Sequence, residues 1–306
     1  MLFRIATLLI LIFVRPATAF TIEQPSADRW MYPFNATPGT RPAASVFGAV
    51  GAAGFDDRDG QFLVRFDTTS TVAAGLGADH YDIAALTLTL TVNVDDSFLY
   101  DPSYDSYRTY LNSASPDYLA DADAGRPIEL FAVGYRNGYS ESTFAETSPF
   151  SSGNPMTEGA RNAYAAQFGA GGALVDVSNN VAGLFEAAPL AVGRIDGLSA
   201  GSLVPEDSLV KFDIDLTDPS ALAWLRTSLN AGYIEFMVTS LYPTSQEASS
   251  GYPSFYTKEN ILHSPDDGDF LAGQLSGSIA VVPEPGTILL LALGGCMLAF
   301  RRRHHA

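Results

Sequence analysis

Apolar and polar residues alternate from Ala85 to Val94, as Ala-Leu-Thr-Leu-Thr-Leu-Thr-Val-Asn-Val. A period of two over such a run predicts a β-strand with one face in a core and the other toward water. Leu86, Leu88, Leu90 and Val92 then belong to the inner face, and Thr87, Thr89 and Thr91 to the outer. Runs at Gln61–Phe66, Ile128–Val133, Ala173–Val177, Leu209–Leu216, Tyr233–Thr239 and near Gln274–Val282 predict further strands. Clusters of Gly, Pro, Asp and Ser separate them, and the long irregular connections 95–127 and 134–157 suit a sandwich better than a βα alternation.

Two segments have helical spacing. Asp218 can cap a helix that has Pro219 at its first position, Leu222, Leu225 and Leu229 as its buried stripe, and Gly232 as its stop. Glu158–Phe168, rich in alanine, is a weaker second helix. The pattern therefore predicts a mainly β fold, an antiparallel β-sandwich with one or two short helices, as one domain over residues 20–280.

Both ends carry a different pattern. Arg4, the apolar run Ile5–Val14 and Ala17-Thr18-Ala19 before Phe20 have the order of a secretory signal peptide, predicting an N-terminal signal helix over residues 1–19. At the other end, Val281-Val282-Pro283-Glu284-Pro285 leads into the uncharged run Gly286–Phe300 and then Arg301-Arg302-Arg303. As a helix that run spans about 22 Å, short of the roughly 30 Å hydrocarbon core. Val281, Val282 and snorkelling arginines add to its reach, and the arginines hold its end on the cytoplasmic side. A C-terminal transmembrane helix is expected, after a motif that Pro283 and Pro285 keep extended.

Charge narrows the partners. Of the 17 basic residues, five lie in 1–19 and 286–306, where none of the 34 acidic residues lies, so 20–285 carries 12 basic residues against 34 acidic ones, a net −22. Such a surface disfavours nucleic acid, which is held by basic patches, and suits an exported protein that meets cations or polyhydroxyl surfaces. The single cysteine, Cys296, lies in the tail, so the body has no disulfide, thiolate metal site or cysteine nucleophile.

Two resemblances add to this reading. Residues 281–306, with Val282, Pro283, Glu284 and Pro285 as the sorting motif and Arg301, Arg302 and Arg303 as the basic anchor, resemble the PEP-CTERM sorting signal of exopolysaccharide-producing Gram-negative bacteria. The resemblance implies a membrane-embedded exosortase that recognises the motif and removes the helix, a transient inner-membrane intermediate, and delivery to the cell surface or the extracellular matrix of a biofilm. Asp28–Asn35, Phe62–Thr68 and Gly232–Ser240 more loosely resemble DNRLRE-type extracellular domains. That likeness implies a jelly-roll sandwich with a structural or glycan-associated role, and supplies no catalytic residue.

Candidate chemistry in the body is sparse. Gly197-Leu198-Ser199-Ala200-Gly201 spells a nucleophile elbow, but Ser202-Leu203-Val204-Pro205 after it makes a poor helix start, and a surface turn is the favoured reading. His80 and His263 stand apart, which disfavours a zinc site. Carboxylates gather at Asp56-Asp57-Arg58-Asp59, Asp95-Asp96, Asp121-Ala122-Asp123 and Asp266-Asp267-Gly268-Asp269. Asp56, Asp57 and Asp59 are a candidate calcium set, with solvated turns as the favoured alternative. Tyr100, Tyr104, Tyr107 and Tyr110 recur through a loop and are candidate glycan contacts, against the plainer reading that they cover the sandwich edge. No catalytic residue is singled out and no cofactor other than calcium is suggested. The expectation is an exported, exosortase-sorted matrix protein, non-enzymatic and structural or glycan-associated. A polysaccharide-active enzyme and a calcium-dependent adhesion module are the alternatives.

Overall fold

The computed structural model describes residues 17–244, 251–260 and 272–282. In it the alternating segment forms β5 (Tyr81–Thr91), which lies between β13 (Gln274–Val281) and β10 (Leu209–Asp213), with β1 (Thr18–Ile22) on the far edge of β13. A second sheet runs β2 (Ala27–Met31), β4 (Gln61–Asp67), β11 (Tyr233–Ser240), β6 (Ile128–Tyr135), β7 (Ala163–Phe168), β8 (Leu174–Asp176), and β9 (Ala191–Val192) also pairs with β6. β3 (Ala43–Ser45) and β12 (Ser254–Tyr256) make a separate ribbon. All of these pairings are antiparallel.

The two large sheets share one core. Leu86, Leu88 and Leu90 of β5, with Phe212 and Leu275, join Phe62, Val64, Phe66, Phe236 and Val238 of the other sheet in one buried cluster. The intervening residues Leu63, Phe131, Val133 and Met237 are buried as well, in a second cluster with Met31, Ala163, Ala165 and Phe144. The larger sheet is thus covered on both faces, which is why Phe62–Val64 and Leu130–Val133 read as continuous apolar runs.

The alternation in β5 carries one irregularity. Ser278 pairs with Ala85 but Ile279 with Ile83, so Ala84 is the extra residue of a β-bulge. The bulge lets Tyr81 and Ile83 face the same core as Leu86, Leu88 and Leu90 despite the odd step between them. Thr87 and Thr89 are half-buried, whereas Thr91, expected outside, is buried. It adjoins Val92, which bridges to Phe255 and closes that end of the sheet.

The expected helix at 218–232 is α1 (Pro219–Ala231). The Asp218 carboxylate accepts from the Ser220 N–H at 2.8 Å, and Gly232, at φ 92°, donates to the Ser228 and Leu229 carbonyls. Ala221, Leu225 and Leu229 are its buried stripe, with Leu222 half-buried beside them. The second expected helix, Glu158–Phe168, is corrected: its latter half is the strand β7, with Ala163 and Ala165 packed into the second cluster.

Among the described residues no helix is long and apolar enough to cross a membrane. The expected signal helix, all but its last residues, and the expected transmembrane run Gly286–Phe300 lie outside the described residues, as do Pro283-Glu284-Pro285, Arg301–Arg303, His263 and Asp266–Asp269. Strand β1 begins at Thr18, so a chain cut before Phe20 keeps Phe20, Thr21 and Ile22 paired with Gly277, Ser276 and Leu275. At the other end Val281 is the last residue of β13, and the exposed Val282 donates its N–H to the His80 carbonyl at 2.8 Å.

Candidate functional site

The connection 92–127 between β5 and β6 carries the candidate tyrosines, and it is anchored before it reaches the surface. Phe98 and Tyr100 are buried in the main core. Tyr100 exchanges backbone hydrogen bonds with Ser202 and Gly201 at 2.8 Å, and its hydroxyl accepts from the Ile195 N–H at 3.0 Å. Tyr100 is therefore an anchor of the loop and offers no ring face to solvent.

Tyr104 is different: it is 41 % exposed. Its hydroxyl donates to Glu186 at 2.7 Å, and Ser106 Oγ donates to the other oxygen of the same carboxylate at 2.6 Å. Glu186 thus holds the loop in place, and burial together with this carboxylate pushes the Tyr104 hydroxyl well above its ordinary pKa. Tyr107 and Tyr110 lie on a single 3-10 turn capped by Ser106, which accepts from the Arg108 N–H at 3.2 Å. The Arg126 guanidinium covers the Tyr110 ring at 4.1 Å, and the Tyr110 hydroxyl donates to Asp105 at 3.2 Å. The four tyrosines therefore do not form one platform, and Tyr104 borders open space.

That space is a groove of about 430 Å³ between the 102–104 loop and the β9–β10 side of the sandwich. Pro102, Pro189 and Leu190 line it, the Tyr104 ring borders it, and with Arg194, Asp213 and Asp215 in the lining its surface is more polar than apolar. Asp213 accepts from Thr87 Oγ1 at 2.7 Å. Asp215 accepts from the N–H and hydroxyl of Thr217 at 2.8 and 2.7 Å, and these bonds, the hydroxyl's first, hold its carboxyl below the ordinary range. A lining with more polar than apolar surface favours a hydroxyl-rich ligand over an apolar one. An aromatic face beside carboxylates and a guanidinium suits the apolar face and hydroxyl edge of a sugar ring. Arg194, Asp213 and Asp215 gave no sequence signal, because a bridge and the end of β10 bring them to the groove.

The acidic set Asp56, Asp57 and Asp59 is placed otherwise than in solvated turns. All three are buried; Asp56 and Asp59 both face Arg161, and Asp57 faces a backbone N–H instead. Asp56 pairs with Arg161 at 2.7 Å and accepts from the Gly159 N–H and Asn179; burial pushes its carboxyl up, but these partners leave it below the ordinary value. Asp57 accepts from the Ala182 N–H at 2.7 Å, and burial holds its carboxyl up. Asp59 lies 3.8 Å from Arg161 and is pushed up to about 7 by burial. Arg58, between them, pairs with the buried Glu129 and donates to Thr239 and Asn180. These residues tie the 56–60 segment to β6, β7 and β11, and do not converge on a common point.

Two other carboxylate groups do converge among the described residues, each with ligand oxygens within 4.8 Å of one another. Asp28, Glu146 and Glu259 are one; Lys258 Nζ sits among them, 2.6 Å from Glu146 and paired with Glu259, so a protein ammonium already supplies the positive charge. Burial pushes Asp28 up to about 8. Asp101, Asp105 and Asp123 are the other. The signal for this second group was in the sequence: Asp101, Ser103 and Asp105 stand at i, i+2 and i+4, a spacing shared with the start of calcium-binding loops.

The nucleophile-elbow pattern 197–201 falls on turns, with Gly197 and Gly201 at φ 77° and 78°, and not between a strand and a helix. No curated protein matches the chain. Residues 281–303 match the family model of the PEP-CTERM protein-sorting motif, and the chain thus carries the sorting signal of an exported protein handled by exosortase-type machinery.

Proposed function

We propose that this chain is an exported structural or glycan-associated protein of the cell surface or extracellular matrix, reached through an inner-membrane intermediate from which an exosortase-type enzyme releases it. The match at 281–303 is the observation that carries the reading. The net −22 of residues 20–285 supports it by disfavouring anionic polymers, whereas neutral exopolysaccharide carries no such penalty. The groove beside Tyr104 is the place where a neutral sugar chain is held, and the loose likeness of 28–35, 62–68 and 232–240 to DNRLRE-type domains agrees with a non-enzymatic role. Replacing Pro283-Glu284-Pro285 by three alanines tests the delivery. The variant is expected to accumulate uncleaved in the inner-membrane fraction with its body outward, because Gly286–Phe300 and Arg301–Arg303 still hold the topology. Release into the medium as efficient as wild type would overturn the reading.

A further inference from the structure

We propose that Asp101, Asp105 and Asp123, with the Ser103 hydroxyl beside them, form a calcium site that fixes the loop carrying Tyr104. The three carboxylates offer oxygens within 4.8 Å of one another. A calcium ion with bonds of about 2.4 Å spans that separation across its own diameter. A cluster of carboxylates alone would not suffice, since acidic loops are common in a chain of this charge. The second observation is Asp101 itself, which is 3 % exposed and whose Oδ2 is buried without a hydrogen-bond donor. An ionised oxygen in that position is costly unless a cation or donor meets it.

The surrounding groups leave this need unmet. The Ser103 N–H donates to Asp101 Oδ1 at 2.8 Å, and Ser103 Oγ lies 2.7 Å from the same oxygen and 3.0 Å from Asp123 Oδ2, so neither donor reaches Asp101 Oδ2. The nearby cation, Arg126, is engaged with Asp105 at 2.9 Å and with Asp121, and its guanidinium is stacked on Tyr110. In the companion cluster Lys258 stands among the carboxylates; no ion pair to Asp101 or Asp123 is formed among the described residues.

Gly125 makes the approach possible. At φ 111° it lies so close to the Leu99–Asp101 segment that a Cβ would come within 2.9 Å of the Leu99 carbonyl oxygen and 3.1 Å of Asp101 Cβ. The 121–125 segment can therefore lie against Asp101 and bring Asp123 to it. Tyr104 stands between Pro102 at the groove and Asp105 at the proposed site, so an ion held there would order the ring that borders the groove. This last consequence rests on the glycan reading, whereas the ion site does not, and calcium binding is measured without any glycan.

The test is a calorimetric calcium titration of the full-length chain, purified in detergent and stripped with chelator. One calcium per chain is expected, with a dissociation constant of about 10⁻⁴–10⁻³ M, the range of extracellular modules. Asp123→Asn, at an exposed position, and Asp101→Asn, which keeps the shape of the side chain, should each weaken binding by about tenfold or more. Asp82→Asn, exposed on β5, should leave it unchanged. Circular dichroism confirms that each variant is folded, and calcium should raise the melting temperature of wild type and not of Asp123→Asn. No saturable binding up to about 10 mM calcium, ten times the weak end of that range, would overturn the proposal. So would wild-type affinity in a folded Asp123→Asn chain.

Discussion

Truncating Leu88 to alanine probes the sandwich where the alternation is clearest. Leu88 is fully buried, directly opposite Phe212 of β10 on one side and Leu275 of β13 on the other, in the shared core of both sheets. The change removes three carbon groups, and at about 0.8 kcal/mol for each buried methylene the transfer loss is roughly 2.4 kcal/mol. A cavity follows, because two flanking strands hold the site open, and the total should reach about 3–4 kcal/mol within the known range of about 2–5. Thr89→Ala, on the half-buried outer face, should cost less than about 0.5 kcal/mol. Urea unfolding followed by circular dichroism reads both: with a slope near 3 kcal/mol per molar, Leu88→Ala should lower the midpoint by about 1 M and Thr89→Ala by almost nothing. Equal losses at the two positions would refute the assignment of inner and outer faces.

Further predictions concern buried charge. Burial pushes Asp28 up to about 8 and Asp59 up to about 7 against 3.8 for an unperturbed aspartate, so the folded chain holds more protons than the unfolded one between these values. Stability should therefore fall as pH rises from about 4 to 8, by at least about 1 kcal/mol, since a tenfold difference in proton affinity between the folded and unfolded chain is worth about 1.4 kcal/mol. A melting temperature rising over that interval would contradict it. Arg58→Met leaves Glu129 buried without its partner and should cost about 3–5 kcal/mol in the same urea assay, with Glu129→Gln in that background recovering part of it. No recovery would mean that Arg58 acts through packing on Phe131.

The sheet was legible in the sequence where a strand carries a long alternation or apolar run, as at 85–94, 61–66 and 233–239, whereas the short buried strands β2 and β12 were missed. The failure at Glu158–Phe168 has a physical cause. Alanine favours a helix when nothing else decides, but here Ala163 and Ala165 fill the second core, and the Tyr164 ring lies over Gly134, where a Cβ would come within 2.2 Å of it. Tertiary packing overrode local preference. The same limit applies to charge and rings. Asp56 and Asp101 look alike in sequence; one meets Arg161, 105 positions away, and the other meets no cation among the described residues. Tyr100 and Tyr104 share a loop and a spacing, yet long-range contacts to Ile195 and Glu186 send one inward and the other to the groove. The sorting motif needed no folding to be read, because its information is local.

The claim that the groove beside Tyr104 is the working surface is tested most directly by titrating the full-length chain with neutral exopolysaccharide from the producing cell. Weak, roughly millimolar binding per site is predicted, raised to retention by many sites along the polymer. Tyr104→Ala should abolish it, while Tyr118→Ala, exposed outside the groove, should not. Undiminished binding by a folded Tyr104→Ala chain, or new reducing ends released from the polymer by wild type, would contradict the account.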